Sequence, residues 1–499
     1  MNDLIRVDKA DLPGAVHLVE ERGGVLLTVC GADERSRGRG FGLYYVFSFG
    51  KDGGFATLAT TVDEDDPTFP SVTPFCEAAH WDEREIADLL GVVPLGHPDP
   101  RPLVLPDDWP EGLFPLRKDF PAGERPPLAA AREYPFTPVG GEGVFQVPVG
   151  PVHAGIIESG HFRFHAVGER IISLEARLFY NHRGVEKLAE GRRVEEAMPL
   201  VERICGSCSC SHAVAYAQGL ENLGSLQVPP RAAALRTIYL ELERLYNHFN
   251  DIGAICAGTG FSFGSNHGAR LKEEVLRLNE TLTENRYLFG AIRPGGVCRE
   301  PSALAVAGGV LSALKRDWSE TMAVILDNES FRERLRDTGR LSLDAARRLG
   351  VVGPAARASG VDRDLRRDHP YAAYAGLNLI VPGQREGDVE ARFLIRVKEV
   401  SAAFALLAEV LTDLPAGEIH SPLGELPPYT PAFGYTESPR GANVHFLLTA
   451  PGNRIYRYRV RSASFPNWAA VPFAVEGNMI PDFPLINKSF ELCYACLDR

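Results

Sequence analysis

Two Cys-x-x-Cys pairs, separated by most of the chain's second half and more, constrain this sequence more than any other feature. The first lies in Arg203-Ile204-Cys205-Gly206-Ser207-Cys208, with His212 following; the second is Cys493-Tyr494-Ala495-Cys496, just before Leu497-Asp498-Arg499. Four thiolates so placed become one metal site only if the fold closes the two pairs on each other. Thiolates are soft donors and select zinc, nickel, copper(I) or cluster iron. The first pair precedes a helical stretch over His212–Leu223, and a helix N-terminus favours the thiolate. A structural four-cysteine zinc site is the competing reading, but its two pairs usually lie within about 15–20 residues.

Bulk properties remove several other classes. At 499 residues the chain can bury a large core and hold two or more domains. A net charge of -12 argues against nucleic acid as the main partner. No apolar run reaches the roughly 18 residues of a membrane span, and Met-Asn-Asp-Leu-Ile-Arg lacks the order of a secretory signal. Nine cysteines without dense spacing do not make a disulfide framework, so a reducing, cytoplasmic setting is expected. Cys30, Cys76, Cys256 and Cys298 stand singly and read as buried small hydrophobes. Cys210, beside the first pair, is open to either a structural or a functional reading.

The fold expected is an α+β N-terminal domain followed by a mainly α long-helix bundle with a small β element. In residues 1–120, Val25–Val29 and Leu43–Phe49 read as strands, and Glu77–Leu90 as a helix ended by Gly91. Residues 121–143, rich in Pro, Ala and Gly, read as a linker. Residues 144–499 form the second domain, with a strand over Gly168–Ala176 and helices over Arg231–Ile255 (begun by Pro230), Leu271–Leu288 and Val389–Leu414.

The cysteine motifs carry a resemblance. Arg203 through His212 resembles the RxCGxCxxxH signature of nickel–iron hydrogenase large subunits, and Cys493 through Arg499 resembles their C-terminal motif. Ile157-Glu158-Ser159-Gly160-His161, His182-Arg183-Gly184-Val185-Glu186 and Glu437-Ser438-Pro439-Arg440-Gly441 are similar to further family elements. Arg357 through Val361 with Arg366 through Tyr371, and Gly150-Pro151-Val152-His153, resemble the quinone-site subunit of respiratory complex I. Glu83 through Gly91, Gly96 through Asp99, and Asp108 through Phe120 resemble the small α+β subunit beside it. Such a fusion is similar to large subunits of the formate hydrogenlyase type. One departure is Glu491-Leu492 where the family motif has Asp-Pro. The family usually loses a peptide beyond this motif during nickel insertion, so an end at Arg499 fits a mature form or a chain made without the tail.

The resemblance implies a reaction and its parts. The reaction is H2 ⇌ 2H+ + 2e−. Nickel is expected on Cys205, Cys208, Cys493 and Cys496, with Cys208 and Cys496 bridging to an iron that carries CN and CO. Cys493 is the expected first proton acceptor and Glu158 the onward carrier. A relay of this kind requires a carboxyl titrating near the working range, so partial burial of Glu158 is expected. Arg440 is expected over the open side of the metals, held by carboxylates. Glu186 is the candidate for a second metal, Mg or Fe, and Arg203, His212, His161, Arg183 and Glu491 are supporting residues. For His161 and His212 the competing reading is a buried, hydrogen-bonded structural histidine. The cysteines outside the two pairs lack iron–sulfur ligand spacing, so no cluster is expected in this chain. The expected partners are a small subunit with a 4Fe–4S cluster, a ferredoxin-like electron-transfer subunit and integral membrane subunits. The chain would then lie at the cytoplasmic face of the membrane. The alternative is a complex I-like quinone or coupling scaffold without hydrogenase activity, which would leave the four cysteines unexplained.

Overall fold

A computed structural model describes residues 2–499 except 52, 122, 124, 125, 155 and 156. The chain divides into two compact units. One holds the residues up to Leu188 together with Arg348–Gly350 and Tyr494–Arg499; the other holds Ala189–Arg347 and Val351–Cys493.

In the first unit, β1 (Asn2–Arg6), β2 (Val25–Asp33), β3 (Phe41–Ser48) and β4 (Phe55–Val62) form a sheet in the order β1-β4-β3-β2. Within this sheet β1 pairs with β4 in parallel and the other two described ladders are antiparallel. Every residue of β3 is buried, as expected of a strand covered on both faces. Helices α1 (Leu12–Glu21) and α2 (His80–Leu90) belong to the same unit. The helix expected over Glu77–Leu90 begins as one 3-10 turn, Glu77–Ala79, and ends at Gly91 in the left-handed region, φ 68°. The described residues of the expected linker carry no helix or strand; residues 122, 124 and 125 lie outside the described set. A second antiparallel sheet follows, β5 (Val144–Val149), β6 (His161–Val167) and β7 (Arg170–Arg177). Gly168, expected to open a strand, instead turns the chain between β6 and β7 at φ 58°. By contact this sheet belongs to the first unit, so the compact units divide elsewhere than at residue 144.

The second unit is built on long helices: α3 (Ser209–Leu223), α4 (Pro230–Gly258), α5 (Ser262–Thr283), α6 (Leu304–Asp327) and α7 (Val389–Thr412). Helix α4 is buried along most of its length and packs against α5 and α7. Helix α5 starts earlier than its apolar pattern suggests and stops at Thr283, before Leu288, because Glu284 turns left-handed at φ 62°. The Thr283 hydroxyl there bridges Asn279 O and Asn285 O instead of continuing the helix. The β element of this unit is an antiparallel sheet of β8 (Pro431–Ser438), β9 (Gly441–Ala450) and β10 (Arg454–Arg461). Helix α3 lies close on β8. A side chain at Gly434 would stand 2.0 Å from Ala215 O, and one at Gly219 would stand 3.1 Å from Gly434 N. Two glycines thus let backbone meet backbone, fixing the helix that begins at the first cysteine pair.

Candidate metal centre

Cys208 is the residue that precedes α3, and Cys205 lies in the turn before it. The first amides of α3 are capped from the neighbouring helix rather than by a side chain of their own. Glu243 of α4 accepts from Cys210 N at 2.8 Å, from Ser211 N at 3.0 Å and from the Ser211 hydroxyl. Burial pushes the Glu243 carboxyl up to about 8 even though these donors oppose the shift. One turn on, Tyr246 and Asn247 donate to Ser207 O at 2.9 and 2.6 Å. Positions 243, 246 and 247 share one helical face, so a single rigid helix sets the conformation of the Cys205–Cys208 loop.

Cys493 comes to this loop in the same unit: its Sγ is 3.5 Å from Cys205 Sγ, and Ser207 Oγ is 3.4 Å from Cys205 Sγ. A disulfide would need about 2.05 Å. Two thiolates on one ion, with metal–sulfur bonds of about 2.3 Å, stand roughly 3.3–3.8 Å apart. The spacing therefore fits a shared soft metal. The Cys493 amide donates to Ser464 Oγ at 3.0 Å.

Arg440 sits in the two-residue turn between Ser438 of β8 and Gly441 of β9. The turn is clamped by backbone: a side chain at Gly353 would stand 2.2 Å from Arg440 O. The guanidinium donates to Asn247 Oδ1 at 3.1 Å, to Ser207 Oγ at 3.3 Å and to the backbone carbonyl of Glu491. Carboxylate partners were expected; these three acceptors are neutral. Negative charge reaches Arg440 instead through space, from Asp251 and then from the thiols of Cys208, Cys205 and Cys493, and it overcomes burial to hold Arg440 charged. Asp251 itself pairs with Arg396 at 3.1 Å. Glu491 adopts a left-handed φ of 47°, and burial, with Asp251 next, pushes its carboxyl up to about 8.

Within the first unit the second cysteine motif continues as the short helix Tyr494–Asp498, which carries buried Cys496. Glu158 accepts from Ala495 N at 2.8 Å, between the two cysteine positions. It is exposed in the isolated chain, where partial burial was expected. Asp498 accepts from Phe179 N and Asn181 N, at 3.1 and 2.9 Å, yet burial still pushes it up to about 7. Arg183 donates its backbone N–H to Arg499 O at 2.7 Å and its guanidinium to Ala495 O at 2.9 Å. Glu186 faces the Arg499 guanidinium at 3.0 Å, and Glu85 faces it at 2.5 Å. This donor set does not suit a second Mg or Fe, since a cation already stands between the two carboxylates.

Of the other candidates, Arg203 and His161 stand apart from the cysteines, whereas His212 on α3 has a ring nitrogen within 4.8 Å of the Cys208 sulfur. Arg203 is exposed, over the Phe289 ring at 5.1 Å. His161 packs on Phe136 and bonds Gly150 O at 3.3 Å; burial lowers its pKa. His212 bonds His445 at 2.9 Å, which in turn bonds the Tyr458 hydroxyl at 2.7 Å. Cys210 is buried, and burial raises its thiol pKa well above the ordinary value. Cys30, Cys76 and Cys256 are buried as expected, but Cys298 is exposed, just past the short antiparallel pair Ile292–Arg293 and Gly296–Val297. Residues of the site that escaped the sequence reading include Glu243, Asn247 and Asp251. Their signal was polar side chains at one helical face of a buried helix.

Three family models match successive parts of the chain. Residues 5–126 match the model of the respiratory-chain NADH dehydrogenase 30 Kd subunit, residues 183–251 the nickel-dependent hydrogenase model, and residues 258–430 and 423–499 the 49 Kd subunit model. The chain is 38% identical over 496 residues to formate hydrogenlyase subunit 5 of Escherichia coli (strain K12), covering 98% of this chain and 87% of that one. It is 36% identical to hydrogenase-4 component G of the same organism, covering 98% and 86%. A chain in the structure of the membrane-bound sulfane sulfur reductase, an archaeal respiratory membrane complex, superposes with a TM-score of 0.67 at 27% identity, covering 72% of this chain and 99% of that one.

Proposed function

Because the chain belongs to the complex I-related family of nickel–iron hydrogenase large subunits, we propose that it interconverts H2 with protons and electrons at a site built on its two cysteine pairs. Cys205, Cys208, Cys493 and Cys496 would hold nickel, and Cys208 and Cys496 would also serve an iron carrying CN and CO. When bound, the metal pair supplies the electrophile on which H2 is polarised and split. The protein supplies the rest. Arg440 brings a fixed positive charge to the thiolates, and its planar fork is oriented by Asn247, Ser207 and Glu491 O. The Cys493 sulfur takes the first proton, and Glu158, bonded to the amide of Ala495, passes it towards solvent.

The observation that carries this reading is the Cys205–Cys493 sulfur spacing of 3.5 Å beside a buried arginine that makes no direct carboxylate contact among its described bonds. Metal analysis and infrared spectroscopy of the purified complex test it. Nickel and iron with cyanide and carbonyl bands are expected; zinc alone, or no metal, refutes it.

A second reading is a quinone or coupling scaffold, favoured by the 49 Kd and 30 Kd matches. It gives the cysteines no task. The domain partition at 1–120, 121–143 and 144–499 belongs to the same proposal, and the match over 5–126 supports it. No described helix is long and apolar enough to cross a membrane. Electrons leaving the metals would pass to a small 4Fe–4S subunit and a ferredoxin-like subunit. Integral membrane subunits would hold the assembly at the cytoplasmic face.

A further inference from the structure

Arg499 is one of the most completely buried arginines in the protein, at 1% exposure. Its guanidinium bonds Glu85 at 2.5 Å and Glu186 at 3.0 Å, and its Nε donates to Leu497 O at 3.0 Å. Both carboxylates are also buried, at 3% and 4% exposure. The three residues come from distant parts of the sequence but lie in one compact unit. Glu186 follows the Arg183-Gly184 turn, Arg499 stands three residues after Cys496, and Glu85 is on α2 of the N-terminal sheet domain. The neighbours of Glu85 on that helix are engaged otherwise: Glu83 caps Val72 N at 2.9 Å, and Arg84 pairs with Asp99 at 3.2 Å.

We propose that Arg499, Glu85 and Glu186 form an internal counter-ion lock that takes the place of a divalent cation and positions the segment carrying Cys496. Glu85 is thereby a positioning residue supplied by the N-terminal domain. The proposal rests on the reading of Cys496 as a metal ligand. Magnesium demands near-octahedral oxygen ligands at about 2.0–2.1 Å and keeps several waters. A guanidinium is always charged, planar and weakly hydrated, and it can join two carboxylates in a dry pocket. Asp498 fixes the same segment through Phe179 N and Asn181 N, so the lock sets the end of an arm that is already anchored. Outer groups that orient a metal ligand typically cost about 10–100-fold in affinity or activity when removed.

The test uses the purified complex. Glu85→Gln is expected to lower hydrogen turnover at least about tenfold and to shift the carbonyl and cyanide bands, while Glu85→Asp restores most of both. Arg499→Ala is expected to open the acidic pocket to Mn2+, read by electron paramagnetic resonance, whereas the wild type binds none there. Wild-type bands and turnover in Glu85→Gln, or one tightly held Mg2+ or Mn2+ per wild-type chain, would overturn the proposal. If Glu85→Gln does not assemble, Arg499→Lys decides: a point charge without the fork must also shift the bands, and unchanged bands count against the lock. Failure of the nickel–iron reading looks different, because the wild type itself would then lack nickel and the diatomic bands.

Discussion

Arg440 and Arg499 are both buried guanidiniums beside the ends of the cysteine motifs, yet their surroundings give them opposite tasks. Arg499 meets two carboxylates directly, Glu85 and Glu186. Arg440 is oriented by a carbonyl, a hydroxyl and an amide oxygen, and negative charge acts on it only through space, from Asp251 first and then from the sulfurs of Cys208, Cys205 and Cys493. A guanidinium paired with carboxylates has its field cancelled locally and acts as a structural tie. One oriented by neutral acceptors keeps its field for whatever occupies the thiolate site. The difference lies in neutral acceptors against carboxylates, since both guanidiniums are buried.

The strongest way to break this comparison is to remove the thiolates of the proposed metal site. Replacing Cys205, Cys208, Cys493 or Cys496 by Ser puts a hard hydroxyl in place of a soft thiolate. Nickel content and H2 oxidation should both fall to background in each of the four variants. Full turnover in any one of them removes the metal assignment, and with it the task given to Arg440. Cys210→Ser serves as the control. Its thiol is held un-ionised by burial, so turnover should stay within about twofold.

The next largest effect separates the two arginines. Arg440→Lys keeps a positive charge but loses the fork that reaches Asn247, Ser207 and Glu491 O together. Loss of one preoriented donor at a reacting centre typically costs about 10²–10³ in turnover. That loss should appear with nickel and iron fully retained. Equal losses of metal and turnover would make Arg440 a structural tie like Arg499, and the contrast between them would collapse.

Glu158→Gln tests the proton route with an isosteric change. The amide of Ala495 can still donate to Gln, so the geometry is kept while the acid is lost. Isotope exchange between H2 and D2O should drop about 10²-fold, with metal content and infrared bands unchanged. Because Glu158 is exposed in the isolated chain, this result would also show that the route opens directly on the surface at this point or is covered by a partner subunit. Exchange at the wild-type rate assigns the relay elsewhere.

These tests also show where the sequence was readable. The cysteine loops and the Ser438–Gly441 turn were legible because each is a local motif whose residue types carry their own geometry. Strand β3 was legible from its apolar run and helix α2 from the Gly91 that ends it, while β2 was legible only in part, since it continues past Val29 through Gly31 to Asp33. The lock at Arg499 was not, because nothing local near Glu85 or Glu186 records which distant cation will meet them. Glu186 therefore read as a metal ligand. Glu243, Asn247 and Asp251 were missed for another reason: on a long helix, spaced polar residues look like a solvated stripe until burial of that face is known. The early stop of α5 at Thr283 was hidden by apolar residues that continue the pattern past Glu284. Side-chain hydrogen bonds there outweigh periodicity.

The smallest expected effect on turnover belongs to Glu243, and it is best read through pH. Its carboxyl is pushed up to about 8 by burial, against about 4.3 in an unfolded chain. Between those values the folded protein binds the extra proton. Folding is therefore favoured by this group below about pH 4, and the contribution is lost as pH rises through about 8. Glu243→Gln removes the titration while its side-chain oxygen can still accept from Cys210 N or Ser211 N. The wild-type complex should lose thermal stability between about pH 5 and pH 8 more steeply than the variant, the two curves diverging with turnover changed by less than about threefold. Parallel stability curves would mean that Glu243 is ionised throughout, its charge held by the first turn of α3. The cap on the Cys205–Cys208 loop would then be an ion at a helix N-terminus rather than a neutral acid.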